Sequence, residues 1–278
     1  MTDLTRALGF DDLARSVRVA AGAQDGIRLR HALPDDDAGW VTCAALLATG
    51  LAGWADRIAD WLRREYGEAP DRVVVGYLLS WYLTVPAQTG ALLFHTARRV
   101  PRIGPADLAV RFDAGHPRPA EIAVLGDDFA CRADDPAADQ PAAGPVADDV
   151  ALAAVLRGRY AAHAARFVTA LATTLGGRVR FGRHTLWAAA TDALDGARWR
   201  IGQFCGNENA GVANAALVLP ATLAPFTSAS TLRPTGGTDS ADGWTRRRQS
   251  CCFHYVLRSG LGPCATCPRV CDRFMPSN

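Results

Sequence analysis

Apolar positions recur at intervals of three and four through much of the chain, which predicts helices. In "DDDAGWVTCAALLATGLAGWADRIADWLRREYG", Leu51, Trp54, Ile58, Trp61 and Leu62 fall on one face, and the charges gather late. Asp71 follows Pro70 and opens the next helical stretch. The strongest pattern runs through Leu152, Val155, Leu156, Tyr160, His163, Phe167, Leu171 and Leu175, and Gly176-Gly177 stops it. His163, on that apolar face, reads as a satisfied core histidine rather than a ligand. A further helix is predicted over His184 to Gln203.

After Pro105 the period changes to two. "DLAVRFD" sets Leu108, Val110 and Phe112 against Ala109, Arg111 and Asp113, the pattern of a half-buried strand. "AEIAVLG" and "DFACRA" follow as strands, and Cys131 reads as a small packed residue. A small antiparallel sheet is expected over about residues 105–132. Asp134 to Asp149 has no period and reads as a linker, and "APFTSASTLRPTGGTDSADG" reads as a long surface loop. "CGNENAG" reads as a capped turn. The expected fold class is α+β, predominantly helical. Residues 1–243 form a mainly helical body with the small sheet, and residues 244–278 form a C-terminal cysteine-rich segment packed on it.

Composition narrows the partners. About half of the 278 residues are apolar (49%), enough for a substantial core, and the formal net charge is only +2. No global field recruits nucleic acid. The uncharged stretch from Val73 to Phe94 is long enough to span a bilayer. Its polar residues and Pro86, which would kink a helix, favour buried core helices instead, with at most peripheral membrane contact. "MTDLTRALGFDDLARS" lacks a basic start and an unbroken apolar run, so a cytoplasmic protein is expected. There, clustered cysteines point to metal or redox chemistry more often than to disulfides.

Five of the eight cysteines lie between Arg246 and Cys271, in "RRRQSCCFHYVLRSGLGPCATCPRVC". "TRRRQSCCFHYVL" reads as a strand and "SGLGP" as a turn, which folds the C-x-x-C of Cys264 and Cys267 back onto Cys251 and Cys252. Four thiolates from two short arms would hold structural zinc or an iron–sulfur cluster. Adjacent strand residues point to opposite faces, so a vicinal pair serves one small ion poorly and a two-iron target better. Spacing therefore favours [2Fe–2S] over zinc. A vicinal disulfide or redox switch is the other alternative. Cys271 reads as a nearby free thiol, and His254 as a strand residue or a donor to the site. Arg246, Arg247 and Arg248 either steer an anionic complex or an acidic partner, or form a solvated strand edge.

This C-terminal arrangement, after a largely helical body of this length, resembles the ferric-siderophore reductases of the FhuF-like type. Their fingerprint is C-C-x10-C-x-x-C, in which all four cysteines hold a [2Fe–2S] cluster. The resemblance implies Cys251, Cys252, Cys264 and Cys267 as ligands; here the spacer, Phe253 to Pro263, has eleven residues. It implies an oxidoreductase that adds one electron to an Fe(III)-siderophore and so releases Fe(II). The specific match covers about thirty residues at the C-terminal end. No G-x-G-x-x-G follows a predicted strand, so electrons are expected from a separate ferredoxin, flavodoxin or flavin reductase. An iron–sulfur carrier or sensor, or a structural zinc protein, are the alternative expectations.

Overall fold

The computed structural model describes residues 13–23, 28–235, 243–259 and 262–269. At its centre lies helix α4 (Asp71–Ala97), most of whose residues from Val73 to Phe94 are buried. A helix apolar on nearly all sides must be surrounded by protein. Helices α3 (Leu51–Tyr66), α5 (Asp149–Leu175) and α6 (Arg183–Phe204) pack around it, and α7 (Glu208–Val218) lies on α5 and α6. Helix α1 (Leu13–Gly22) closes one side, and the short α2 (Cys43–Ala45) leads through a wider π-helical turn into α3. Among the described residues no helix is long and apolar enough to cross a membrane. Pro86 lies inside α4, which continues to Ala97.

The expected helical faces are buried. Leu51, Trp54, Ile58, Trp61 and Leu62 all point inward from α3. On α5, His163 pairs with the Tyr82 hydroxyl at 2.8 Å through Nε2, while its Nδ1 meets the Ile103 carbonyl. Both ring nitrogens are thus occupied by neutral partners. Asp148 caps α5, accepting from the Ala151 amide at 2.8 Å. In the predicted turn after α6, Asn207 caps α7 and Gly206 takes the left-handed conformation (φ 69°). Helices α6 and α7 meet at Gly202 and Gly211. A Cβ on Gly202 would lie 2.7 Å from the Gly211 Cα, so the close crossing requires glycine.

The sheet is larger and more divided than the sequence pattern indicates. Strands β4 (Leu108–Phe112), β5 (Pro119–Val124) and β6 (Phe129–Arg132) form, but they fall into two sheets. The first has the order β1-β5-β4-β2, with β1 (Arg28–His31) parallel to β5 and β2 (Trp40–Thr42) antiparallel to β4. The second has the order β3-β6-β7, with β3 (Arg99–Pro101) antiparallel and β7 (Ala143–Val146) parallel to β6. The antiparallel expectation is corrected to two mixed sheets. The segment expected as linker supplies β7. The short strands "RLRH" and "AGPV" carry no clear apolar alternation; both pair parallel, β1 with the distant β5 and β7 with the nearby β6. Cys131 is fully buried within β6.

Candidate metal centre and the cleft beside it

Strand β9 (Trp244–Arg246) pairs antiparallel with β8 (Leu232–Pro234), part of the stretch expected as loop. The strand expected through Leu257 ends at Arg246. From there the chain is captured by Asp192 of α6, a carboxylate only 3% exposed. Its Oδ1 accepts from the Gln249 amide at 2.8 Å. Its Oδ2 accepts from the Ser250 amide at 2.7 Å and the Ser250 hydroxyl at 2.6 Å. Two successive amides bound to one carboxylate cannot serve a ladder, which is why the strand stops. The chain then turns sharply at Phe253, whose backbone is left-handed (φ 61°), into the short 3₁₀ turn His254–Val256. Stacking on Phe181 at 5.5 Å and the Arg72 guanidinium 5.3 Å from the ring hold Phe253 there.

That backbone turn aims the Phe253 amide at the Cys251 sulfur, 3.3 Å away. The Cys252 carbonyl sits against Gly76 of α4, where a Cβ would lie 2.9 Å from its oxygen. His254 Nδ1 pairs with the Tyr77 hydroxyl at 2.8 Å, and its ring meets Tyr66 edge-on at 5.2 Å. The His254 side chain thus docks the arm on α3 and α4.

The second arm is a tight turn in which the Cys267 amide donates to the Cys264 carbonyl at 2.9 Å. The two arms are joined by the Arg248 amide donating to the Thr266 carbonyl at 3.0 Å. Cys251 Sγ and Cys267 Sγ stand 4.0 Å apart as free thiols. Two thiolates on one tetrahedral metal atom, each at about 2.3 Å, lie about 3.8 Å apart, so this pair has the separation of shared ligands. Arg248 lies in the electrostatic field of Cys252 and Cys264. Cys267 is buried, Cys251 and Cys252 are half-buried, and Cys264 is exposed. Burial, and after it the neighbouring Cys267 and Cys252, raise the Cys251 thiol pKa, with the Phe253 amide opposing. Among the described residues no three His, Cys, Asp or Glu side chains are grouped closely enough to enclose an ion. The structure therefore brings Cys251 and Cys267 together as a close cross-arm pair, with Cys252 and Cys264 in the electrostatic neighbourhood of Arg248 rather than closed onto that pair. Thiols, an amide donor to sulfur and a nearby guanidinium are the kinds of group that surround thiolate-held metals, though among the described residues they do not close into a ligand set. Cys271 lies outside the described residues.

The three arginines divide. Arg246 turns inward, donating to the Asp192 carbonyl at 2.7 Å, and its guanidinium occupies the space beside Gly196. Arg247 is exposed and reaches the Pro268 carbonyl at 3.4 Å. Arg248 lies between Asp192, 3.7 Å from its Nε, and the cysteines.

A cleft of about 900 Å³ opens beside this corner. One turn after another of α4 lines it through Ser80, Thr84 and Gln88; the hairpin of β4 and β5 supplies Arg111, Arg118 and Glu121; α6 supplies Arg200. A smaller recess of about 110 Å³ shares Ser80, Thr84 and Arg200 with the cleft and ends on Cys251. Arg200 is open to solvent on one side yet walled in by protein. That enclosure, and then the like charges of Arg246 and Arg248, lower its pKa to about 10. Asp192, Arg200 and Gln88 were not legible as site residues. Their sequence signal is faint: α6 carries Asp192, Asp195 and Arg198 among alanines on faces that turn out to be buried. Comparison with models of known protein families and with curated proteins found no match.

Proposed function

We propose that this protein is a [2Fe–2S] ferric-siderophore reductase of the cytosol, an oxidoreductase that releases Fe(II) from an Fe(III) chelate. The observation that carries the reading is the cross-arm thiol pair at 4.0 Å beside an open, polar cleft. Cys251, Cys252, Cys264 and Cys267 are the residues to hold the cluster. When bound, an all-thiolate two-iron cluster supplies single electrons at low potential, about −400 mV.

The chain's own residues have three tasks. Asp192 fixes the first arm through two amides and a hydroxyl, so the cysteines start from a rigid base. The Phe253 amide and Arg248 place positive dipole and charge beside the sulfurs, which offsets the negative charge of a thiolate-held cluster. The cleft holds the substrate. Hard oxygen ligands bind Fe(III) tightly and Fe(II) more weakly, so a one-electron change at the chelate is enough to free the metal. No proton shuttle or nucleophile is required. A separate ferredoxin, flavodoxin or flavin reductase is the proposed electron donor.

The test is anaerobic purification with iron and sulfide counting, followed by mixing the chemically reduced protein with ferric siderophores and a ferrous trap. Saturable Fe(II) capture supports the reading. Slow, unsaturable reoxidation makes the protein an electron carrier or sensor, and a colourless protein with stoichiometric zinc makes the site structural.

A further inference from the structure

The cleft has an unbalanced lining. Arg28, Arg111, Arg118 and Arg200 face it with two carboxylates, Asp113 and Glu121. Glu121 is shared: it contacts Arg111 closely and lies 3.6 Å from Arg28. Asp113 is engaged by the Gly115 amide at 2.8 Å and the His116 amide at 3.3 Å. The Arg200 guanidinium makes no hydrogen bond or ion pair with any described residue, and its nearest charged neighbours are Arg246 and Arg248. A second observation lies in the same cleft. Gln88 is 8% exposed, lines the same cleft, and its Oε1 has no hydrogen-bond partner among the described residues. A side-chain amide can present either end, so Gln88 can donate to an anionic oxygen or accept from a hydroxyl. A guanidinium crowded by like charges, lining the same cleft as a buried unpaired amide, is an arrangement that an anionic ligand completes.

We propose that the cleft is a recognition site for a chelate of net negative charge bearing clustered anionic oxygens, with Arg200 as its anchor and Gln88 as its second polar contact. Catecholates and α-hydroxycarboxylates share that chemistry. Only the metal in the chelate rests on the reductase reading; the selection for negative charge rests on the lining. The volume accepts a ligand of several hundred Å³, at the upper end of ordinary small-molecule sites. Trp81, at the cleft wall, offers an optical signal.

Redox-inert gallium(III) complexes separate binding from reduction. Complexes of a tricatecholate, an α-hydroxycarboxylate chelator and a neutral trihydroxamate are titrated into the full-length protein by calorimetry and tryptophan fluorescence. The anionic complexes bind, more weakly as salt rises. Arg200→Gln weakens them about ten- to a hundredfold, Arg200→Lys by less, and Gln88→Leu by roughly three- to tenfold. Tricatecholate binding alone, or binding of both anionic classes, supports the site and separates aromatic from purely electrostatic selection. Equal affinity for the neutral complex, no binding of any complex, or unchanged affinity in both Arg200→Gln and Gln88→Leu overturns it. Gallium binding without reduction of the matching ferric complexes leaves this site standing and removes the reductase reading. Reduction that ignores Arg200 does the reverse.

Discussion

The carboxylate of Asp192, in the middle of α6, holds the backbone amide of Ser250 at 2.7 Å, fifty-eight positions later and one residue before the first clustered cysteine. The same oxygen also takes the Ser250 hydroxyl. Hydrogen bonds to a charged acceptor contribute about 1.5–3 kcal/mol each, and a buried donor left unpaired costs a similar amount. Asp192→Ala is therefore expected to destabilise the arm by about 3 kcal/mol or more and to free its thiols. Thiol labelling of the metal-free protein should become much faster at buried Cys267, with a smaller change at exposed Cys264. Labelling rates identical to the parent would remove Asp192 from this role.

Cluster content separates the ligand sets. We expect a red-brown protein with about two irons and two sulfides per chain. Serine at Cys251, Cys252, Cys264 or Cys267 is expected to abolish or strongly shift the visible spectrum. Serine at Cys271 is expected to leave it nearly unchanged. Loss of colour in Cys271→Ser with retention in Cys251→Ser reverses the assignment.

Gly76→Ala tests how the arm is seated on α4. The new Cβ would lie 2.9 Å from the Cys252 carbonyl oxygen and 3.4 Å from the Phe253 ring, so the arm must shift. Alanine is a better helix former than glycine by about 1 kcal/mol, so α4 itself gains. The expected outcome is a nearly unchanged melting temperature for the body together with reduced metal content. A fully loaded variant would show that the arm tolerates the displacement.

His163 makes the acid limb of the stability curve. Burial lowers its pKa from the ordinary 6.5 to about 4. Because the folded pKa lies below the unfolded one, the unfolded chain binds more protons as pH falls. Stability is fully present above pH 6.5 and declines down to about pH 4, by about 1.4 kcal/mol per unit at most and about 3 kcal/mol in all. Urea midpoints measured across that window should fall less steeply in His163→Gln. An equal slope in both proteins assigns the acid sensitivity elsewhere.

The sequence is most informative where one element carries its own pattern. The faces of α3 and α5 follow from their spacing, because each buries a single stripe against α4. The same pattern rightly treats His163 and Cys131 as core residues. It fails for β1, whose partner lies far along the chain, and for β1 and β7 alike because their short strands lack alternation. It fails again at Cys251–Phe253. Residue preferences there favour a strand, but Asp192 takes the amides of Gln249 and Ser250 and Phe253 turns left-handed. The cysteines were legible because four thiols in two short arms are chemically distinctive. Arg200 and Gln88 were not, since only the approach of α4, α6 and the β4–β5 hairpin makes their unpaired groups neighbours.

The docking of the arm on Gly76 and Asp192 also sets an order of events during synthesis. Both contacts belong to helices made well before the cysteines they receive. At about 5–20 residues per second, the ribosome reaches Cys252 roughly 10–35 s after Gly76. Helices pack in far less time than that. The seat is therefore built before its occupant exists, and the thiols emerge onto a formed surface rather than into a collapsing chain.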